Sequence, residues 1–221
     1  MEISSLNVNT MYTEALWSMR VSGTPSQSRN GPVLRFREPV SLIYRAPTEK
    51  VLFSPDRDAN PFFHLMESLW ILAGRKDVAF LSQFNSRIGD YSDNGIDFNA
   101  AYGYRIRQHF GFDQFMTVIK TLRTDRSTRQ AVIQIWEPHD LLKGTKDKAC
   151  NMQLVFDVQA NKLNMTVYNR SNDLVWGALG ANVVQFGTIL QFVAEATNLQ
   201  VGWYRQTSNN LHYYTELYAK D

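Results

Sequence analysis

Two runs of mostly alternating side chains constrain this chain more than any other feature. Gln153-Leu154-Val155-Phe156-Asp157-Val158 and Leu163-Asn164-Met165-Thr166-Val167-Tyr168 read as strands, with Gln159 to Lys162 as the turn of a hairpin. Shortly afterwards Val183, Val184, Phe186, Ile189, Leu190, Phe192 and Val193 mark a mostly apolar helix. Strands followed by a core helix point to an α+β domain. A hairpin also sets its two outer ends side by side. One end here follows Cys150, the only cysteine among 221 residues, and the other runs into Asn169-Arg170-Ser171-Asn172-Asp173. A cation beside a thiol lowers its pKa and makes it a nucleophile, so this pairing points to an enzyme.

The rest of the chain supplies further elements. Gly23 to Pro32, rich in Gly, Pro, Ser and Asn with Arg29 inside it, reads as a loop, and Pro39 to Arg45 as a strand. Asn60-Pro61 opens a helix with a capping residue and a proline at its first position, and Gly74 closes it. Asp77 to Phe84 reads as a short helix and Gly89 to Ala101 as a loop. Phe112, Phe115, Met116, Ile119 and Leu122 recur at helical spacing, and Ala131 to Trp136 is a strand. A turn with Gly177 and Gly180 precedes the apolar helix at Asn182. No linker divides the chain, so residues 1–221 are expected to form a single domain.

Charge and composition narrow the partners. A formal net charge of +2 is too small for a nucleic-acid footprint. Met1 to Met11 has no basic region followed by an apolar run, so no secretory signal is expected. No apolar stretch reads as long enough to span a membrane. One cysteine cannot form an internal disulfide, which fits a reducing compartment. No CxxC, HExxH or Walker loop is present, so neither a metal site nor a nucleoside triphosphate site is indicated.

Several residues could carry chemistry, each with a plainer reading beside it. Glu67 lies within Phe62-Phe63-His64-Leu65-Met66-Glu67-Ser68-Leu69-Trp70-Ile71-Leu72, apolar on nearly every side, so a buried carboxylate is expected there. It is either a structural ion-pair member or a catalytic acid. Arg29, Arg126, Arg129 and Arg170 could clamp a phosphate, since guanidinium forks match its oxygens, or could be solvated surface charges. Asp173 and Asn182 could line a ligand site or serve as helix caps. Cys150 alone could be an inert buried thiol, and His212 in Leu211-His212-Tyr213-Tyr214 a satisfied core histidine.

Taken together these residues resemble the thymidylate synthase superfamily, from about Arg29 to Tyr214. Asn60 to Gly74 resembles the helix with the buried glutamate, and Ala100-Ala101-Tyr102-Gly103 the segment with the active-site tyrosine. Ser127-Thr128-Arg129-Gln130 resembles the paired arginines that reach the other subunit's phosphate, with only Arg129 retained. Ala149-Cys150-Asn151 resembles the nucleophile motif, with Asn151 in place of the usual histidine. Arg170-Ser171-Asn172-Asp173 resembles the phosphate-binding and folate-facing signature. Asn182 resembles the base-reading asparagine, with one extra residue in the turn before it. His212 and Tyr214 resemble the pair that binds the sugar hydroxyl. Ile88-Gly89-Asp90-Tyr91-Ser92 stands where the family carries a tryptophan-bearing loop. The chain stops at Asp221, whereas synthases continue and close over folate. Arg170 to Asp173 and Leu211 to Tyr214 look closest to the phage and antibiotic-pathway branch that makes 5-hydroxymethyl pyrimidine nucleotides.

The resemblance implies a mixed β-sheet packed with helices, one sheet face forming a homodimer. It implies 5-hydroxymethylation of a pyrimidine deoxynucleoside monophosphate, dUMP or dCMP, with 5,10-methylenetetrahydrofolate, in a bacterial or phage-infected cytoplasm. Cys150 would be the nucleophile at ring carbon 6, with Glu67, Tyr102 and Asn182 assisting. Arg29, Arg129, Arg170, Ser171, Asn182, His212 and Tyr214 would bind the nucleotide, and Ile88, Asp173 and Gly177 the folate. Gly89 and Ser92 would leave room for water where a synthase has an indole, so a hydroxymethyl product is expected. Methylation by a true thymidylate synthase, or an inactive nucleotide-binding homologue, are the alternatives.

Overall fold

A two-stranded hairpin is marginal by itself and is stabilised when a larger sheet and helices cover one of its faces. The computed structural model describes residues 1–218 and supplies that cover. In chain order the elements are β1 (Glu2–Ser5), α1 (Val8–Ser22), β2 (Thr24–Ser28), β3 (Gly31–Arg35), β4 (Val40–Tyr44), α2 (Pro61–Leu72) and α3 (Val78–Ser82). A short helical segment α4 (Tyr102–Tyr104) runs into a π-turn over Arg105–His109, followed by α5 (Gln114–Thr124), β5 (Val132–Gln134), β6 (Asn151–Gln159) and β7 (Lys162–Asn169). β8 (Asn172–Asp173) then leads through a π-helix over Leu174–Ala181 into α6 (Asn182–Ala196), β9 (Gln200–Ser208) and β10 (Leu211–Tyr214).

Six strands form one mixed sheet in the order β1-β4-β9-β7-β6-β5, and four form a second, β2-β3-β10-β8. The architecture is α+β. The β6–β7 hairpin forms in the expected register, Leu154 opposite Val167 and Phe156 opposite Met165. Its turn residues Ala160 and Asn161 both have positive φ, as a two-residue turn matched to strand twist requires. Gln200–Ser208 carries no expectation from the sequence, yet β9 pairs with both β4 and β7. Along β9, Gly202, Tyr204, Gln206 and Ser208 are buried while Val201, Trp203, Arg205 and Thr207 are half-buried on the other face. Helix α6 packs on the large sheet and against α2.

Helix α2 starts where the cap predicts, with Asn60 Oδ1 accepting the Phe63 backbone N–H at 2.9 Å. Gly74 follows in the left-handed region at φ +70°. A fully buried arginine ties the segment after it to the β5 side. Arg105 donates both to Asp140, at 2.8 Å to Oδ1, and to the Ile135 carbonyl at 3.0 Å.

Four expectations need correction. The loop at Gly23–Pro32 is instead most of a hairpin, β2 pairing with β3 and Arg29-Asn30 at its tip. Pro and Gly composition hid a ladder that Pro25 and Pro32 tolerate. Helix α2 is not apolar-buried all round: Phe62 is 75% exposed, with Leu65 and Leu69 also exposed. In α5 the buried stripe is Phe115, Val118, Ile119 and Leu122, while Met116 points outward. The glycine turn before Asn182 is helical, so Leu174–Ala196 is one run of 23 residues, apolar and long enough to cross a membrane. Most of it is buried inside the protein, as for a core helix.

Candidate active site

A cavity of about 670 Å³ opens where the β2–β3 hairpin tip, α2, the open end of the β6–β7 hairpin, the π-helix and β10 meet. Each element delivers side chains for a reason local to it. The hairpin ends bring Cys150 and Arg170 together because Asn151 and Asn169 pair across β6 and β7. Arg170 Nη2 lies 3.7 Å from Cys150 Sγ. Its guanidinium is held by the carbonyls of Ala149, at 2.8 Å, and Lys148, at 3.1 Å, and lies over the Trp136 ring. Arg170 therefore arrives oriented, with little freedom left to lose.

The thiol is subject to opposing effects. Burial pushes the Cys150 pKa up, and Asp147 adds to this; Arg170 and Arg29 pull it down. Burial wins, so the thiol stands above its ordinary value despite the expected arginine. Glu67 projects from α2 into the same cavity. Its Oε2 is buried and has no hydrogen-bond partner among the described residues, and burial lifts the carboxyl from 4.5 to about 7, with Gln185 opposing. Among the described residues no cation forms an ion pair with it, so the ion-pair reading finds no support there. A carboxyl that shares its proton near neutral pH suits acid–base work.

Tyr102 lines the cavity, and its hydroxyl accepts a hydrogen bond from Asn151 Nδ2 at 2.8 Å. Burial raises its pKa, so the phenol stays neutral. Asn151, read in the sequence only as a departure from the usual histidine, is thus what orients Tyr102. Asn182 also lines the cavity, its Nδ2 donating to Asn172 Oδ1 at 3.1 Å. A π-turn holds one more residue than an α-turn, which is where the extra residue before Asn182 is absorbed. Gly177 permits the arrangement: a Cβ there would lie 2.3 Å from Asn172 Oδ1.

Arg29, Ile88, Ser171, Asp173, His212 and Tyr214 line the cavity as well. Asp173 caps the π-helix, accepting from the Val175 and Trp176 N–H groups, and accepts the Tyr218 hydroxyl at 2.9 Å. Asp173 therefore caps the π-helix while also lining the cavity, whereas Asn182 sits inside the continuous helical run where the π-helix passes into α6. His212 packs edge-on to Tyr214 with ring centres 5.0 Å apart, its Nδ1 3.2 Å from Asn210 Oδ1. Burial lowers its pKa, leaving it neutral near pH 7. Arg126 and Arg129 do not join these groups: both are exposed on the segment after α5, and Arg126 bonds Asn161 instead. Gly89 and Ser92 do not open the cavity either. Ser92 is buried, its hydroxyl bonded to the Asp97 carbonyl at 2.7 Å, and Tyr91 lines the cavity together with Trp70 and Trp176. Among the described residues no group of acids, histidines and cysteine could hold a metal.

Comparison with known proteins places this geometry. The family model described as thymidylate synthase matches residues 57–220. A deoxyuridylate hydroxymethyltransferase of Pseudomonas phage M6 is 47% identical over 220 residues, covering 99% of this chain and 63% of that protein. The proteins of the same name from Bacillus phage SP01 and Delftia phage PhiW-14 are 40% and 28% identical, with 57% and 62% of their lengths covered. The chain thus spans about three fifths of the length of these curated relatives. The crystal structure of thymidylate synthase from T4 phage superposes with a TM-score of 0.76 over 93% of this chain and 78% of that one, at 20% identity. That likeness fixes the fold, and with the match over residues 57–220 it shows that the chain belongs to the thymidylate synthase family.

Proposed function

We propose that the chain is one catalytic domain of a homodimer that hydroxymethylates carbon 5 of deoxyuridine monophosphate with 5,10-methylenetetrahydrofolate, in a bacterial or phage-infected cytoplasm. The observation that carries this reading is the Cys150–Arg170 pair, 3.7 Å apart, in one cavity with a Glu67 carboxyl raised to about 7. The names of the phage relatives support hydroxymethylation and uracil.

Carbon 5 of a pyrimidine is a poor nucleophile. Addition of the Cys150 thiolate at carbon 6 moves electron density onto carbon 5 and splits one hard step into easier ones. Arg170 stabilises the thiolate against the burial that opposes it. Asn182 bonds the edge of the base. Arg29, Arg170 and Ser171 hold the phosphate, and the exposed Arg129 reaches the phosphate in the second copy's site. The half-buried face of β9, with Trp203, Arg205 and Thr207, is the surface offered to that copy. His212 and Tyr214 bond the 3′-hydroxyl of a deoxyribose.

The cavity suits a folate. Ile88, Tyr91, Trp70 and Trp176 provide apolar and aromatic walls, Asp173 provides a carboxylate for ring N–H groups, and Gly177 allows close approach. When bound, the folate supplies the one-carbon unit that carbon 5 accepts. Glu67 then moves protons through water, and the neutral Tyr102 hydroxyl, held by Asn151, orients the water that takes the carbon 5 proton. Loss of that proton breaks the bond to the carrier, which leaves as tetrahydrofolate, and water adding to the exocyclic methylene so formed on carbon 5 gives the hydroxymethyl group. Re-forming the ring double bond expels Cys150. One observation favours a methyl product instead: the aromatic side chains of Tyr91 and Trp176 could shield the methylene from water.

Release of tritium from carbon 5 of labelled dUMP, dependent on methylenetetrahydrofolate, tests the reading. Release that Cys150→Ser abolishes supports it. No release from any pyrimidine monophosphate leaves a binding-only homologue.

A further inference from the structure

An asparagine amide can read either uracil or cytosine, because the two bases present donor and acceptor in opposite order and the amide can flip. The two ends of an amide are alike in shape, so only its surroundings decide how it points. Those surroundings form a relay that starts at a group with no freedom. The Ala178 backbone carbonyl, in the π-helix, can only accept. It takes the Gln206 Nε2–H at 2.6 Å and the Tyr44 hydroxyl at 3.0 Å. Gln206 must therefore point its amide nitrogen there, and that nitrogen also bonds the Tyr44 oxygen at 2.9 Å. Its Oε1 then faces Asn172, whose Nδ2 donates to it at 3.1 Å. Asn172 Oδ1 is left to accept from Asn182 Nδ2, at 3.1 Å. Reversing any one amide would set two oxygens or two N–H groups against each other in a buried place. Gln206 is fully buried, Asn172 is 4% exposed and Asn182 7%.

We infer that Gln206 and Asn172 are positioning residues that lock the Asn182 amide in one orientation, and that this lock is what makes the site discriminate uracil from cytosine. The inference rests on the proposed nucleotide function and deepens it. With Asn182 fixed, one N–H and Oδ1 remain for the ligand in a single order. A base with the opposite order leaves both sides unpaired, a penalty that can amount to several powers of ten. Gly177 belongs to the lock, since a side chain there would push Asn172 Oδ1 away.

The test is equilibrium binding of dUMP and dCMP by calorimetry, with the kcat/KM ratio for the two nucleotides alongside. The wild type should prefer dUMP. Gln206→Met removes the anchor and should shrink the dUMP to dCMP ratio by roughly tenfold or more, rather than weaken both nucleotides equally. Gly177→Ala, on the cavity wall, should do the same and serves if Gln206→Met does not fold. Asn172→Asp, protonated in this buried place, can still donate to Gln206 and accept from Asn182, so it should keep the ratio near that of the wild type. A folded Gln206→Met or Gly177→Ala that keeps the wild-type ratio overturns the lock, as does equal affinity of the wild type for both nucleotides. A wild type that binds neither nucleotide refutes the proposed function itself.

Discussion

Replacing Glu67 by glutamine separates what the acid costs the fold from what it does for the reaction. Burial carries this carboxyl from 4.5 to about 7. The unfolded chain releases the proton near 4.5, while the folded chain keeps it to about 7. Between those values the folded state binds a proton the unfolded state lacks, so rising pH weakens the fold through this group. The penalty is absent below 4.5 and complete above 7, where it amounts to about 3 kcal/mol. Glutamine matches the protonated acid in shape and cannot ionise. Glu67→Gln should therefore match wild-type stability near pH 4.5 and exceed it by up to ~3 kcal/mol at pH 8.5. Guanidinium unfolding followed by tryptophan fluorescence across this range measures the difference. Turnover by the same variant should fall by roughly 10²–10⁴. A stability difference that is absent at pH 8.5, or that does not change with pH, would refute the raised pKa and the role built on it.

Other outcomes follow from the same geometry. Cys150→Ser should bind dUMP and fold normally yet show no turnover; appreciable turnover would remove the covalent step. Alkylation of the free enzyme by iodoacetamide should rise with pH through a midpoint above that of an ordinary thiol, and Arg170→Ala should move the midpoint higher still. Asp140→Asn leaves the fully buried Arg105 charge without its carboxylate and should cost about 3–5 kcal/mol by chemical denaturation. If Arg129 completes the second copy's site, mixing inactive Arg129→Ala with inactive Cys150→Ser under subunit exchange should restore activity, because one site in each hybrid is then intact.

The parts of this fold legible in the sequence are those whose local signals agree with their surroundings. The β6–β7 hairpin combines a period of two with a two-residue turn, and α2 carries both its cap and its stop. The closeness of Cys150 and Arg170 could be read because the two flank one hairpin, so strand pairing alone brings them together. What stayed hidden depends on distant partners. The π-helix looks like a turn because Gly177 and Gly180 break the apolar pattern, yet both glycines are needed where Asn172 and the Val175 carbonyl press close. β9 lacks a strand signature because Gln206 and Ser208 take buried positions where apolar residues would be expected. Those polar residues were the available signal for the amide relay. Asn151 bonds Tyr102 across 49 residues of sequence, a contact no spacing rule reveals.

In the proposed reaction the activated pyrimidine intermediate on Cys150 is captured by water rather than by hydride. Mass spectrometry of the nucleotide formed from dUMP and methylenetetrahydrofolate, with dihydrofolate monitored in the same reaction, tests it directly. Capture by water gives 5-hydroxymethyl-dUMP with no dihydrofolate produced. A methylated nucleotide accompanied by an equal amount of dihydrofolate would contradict it.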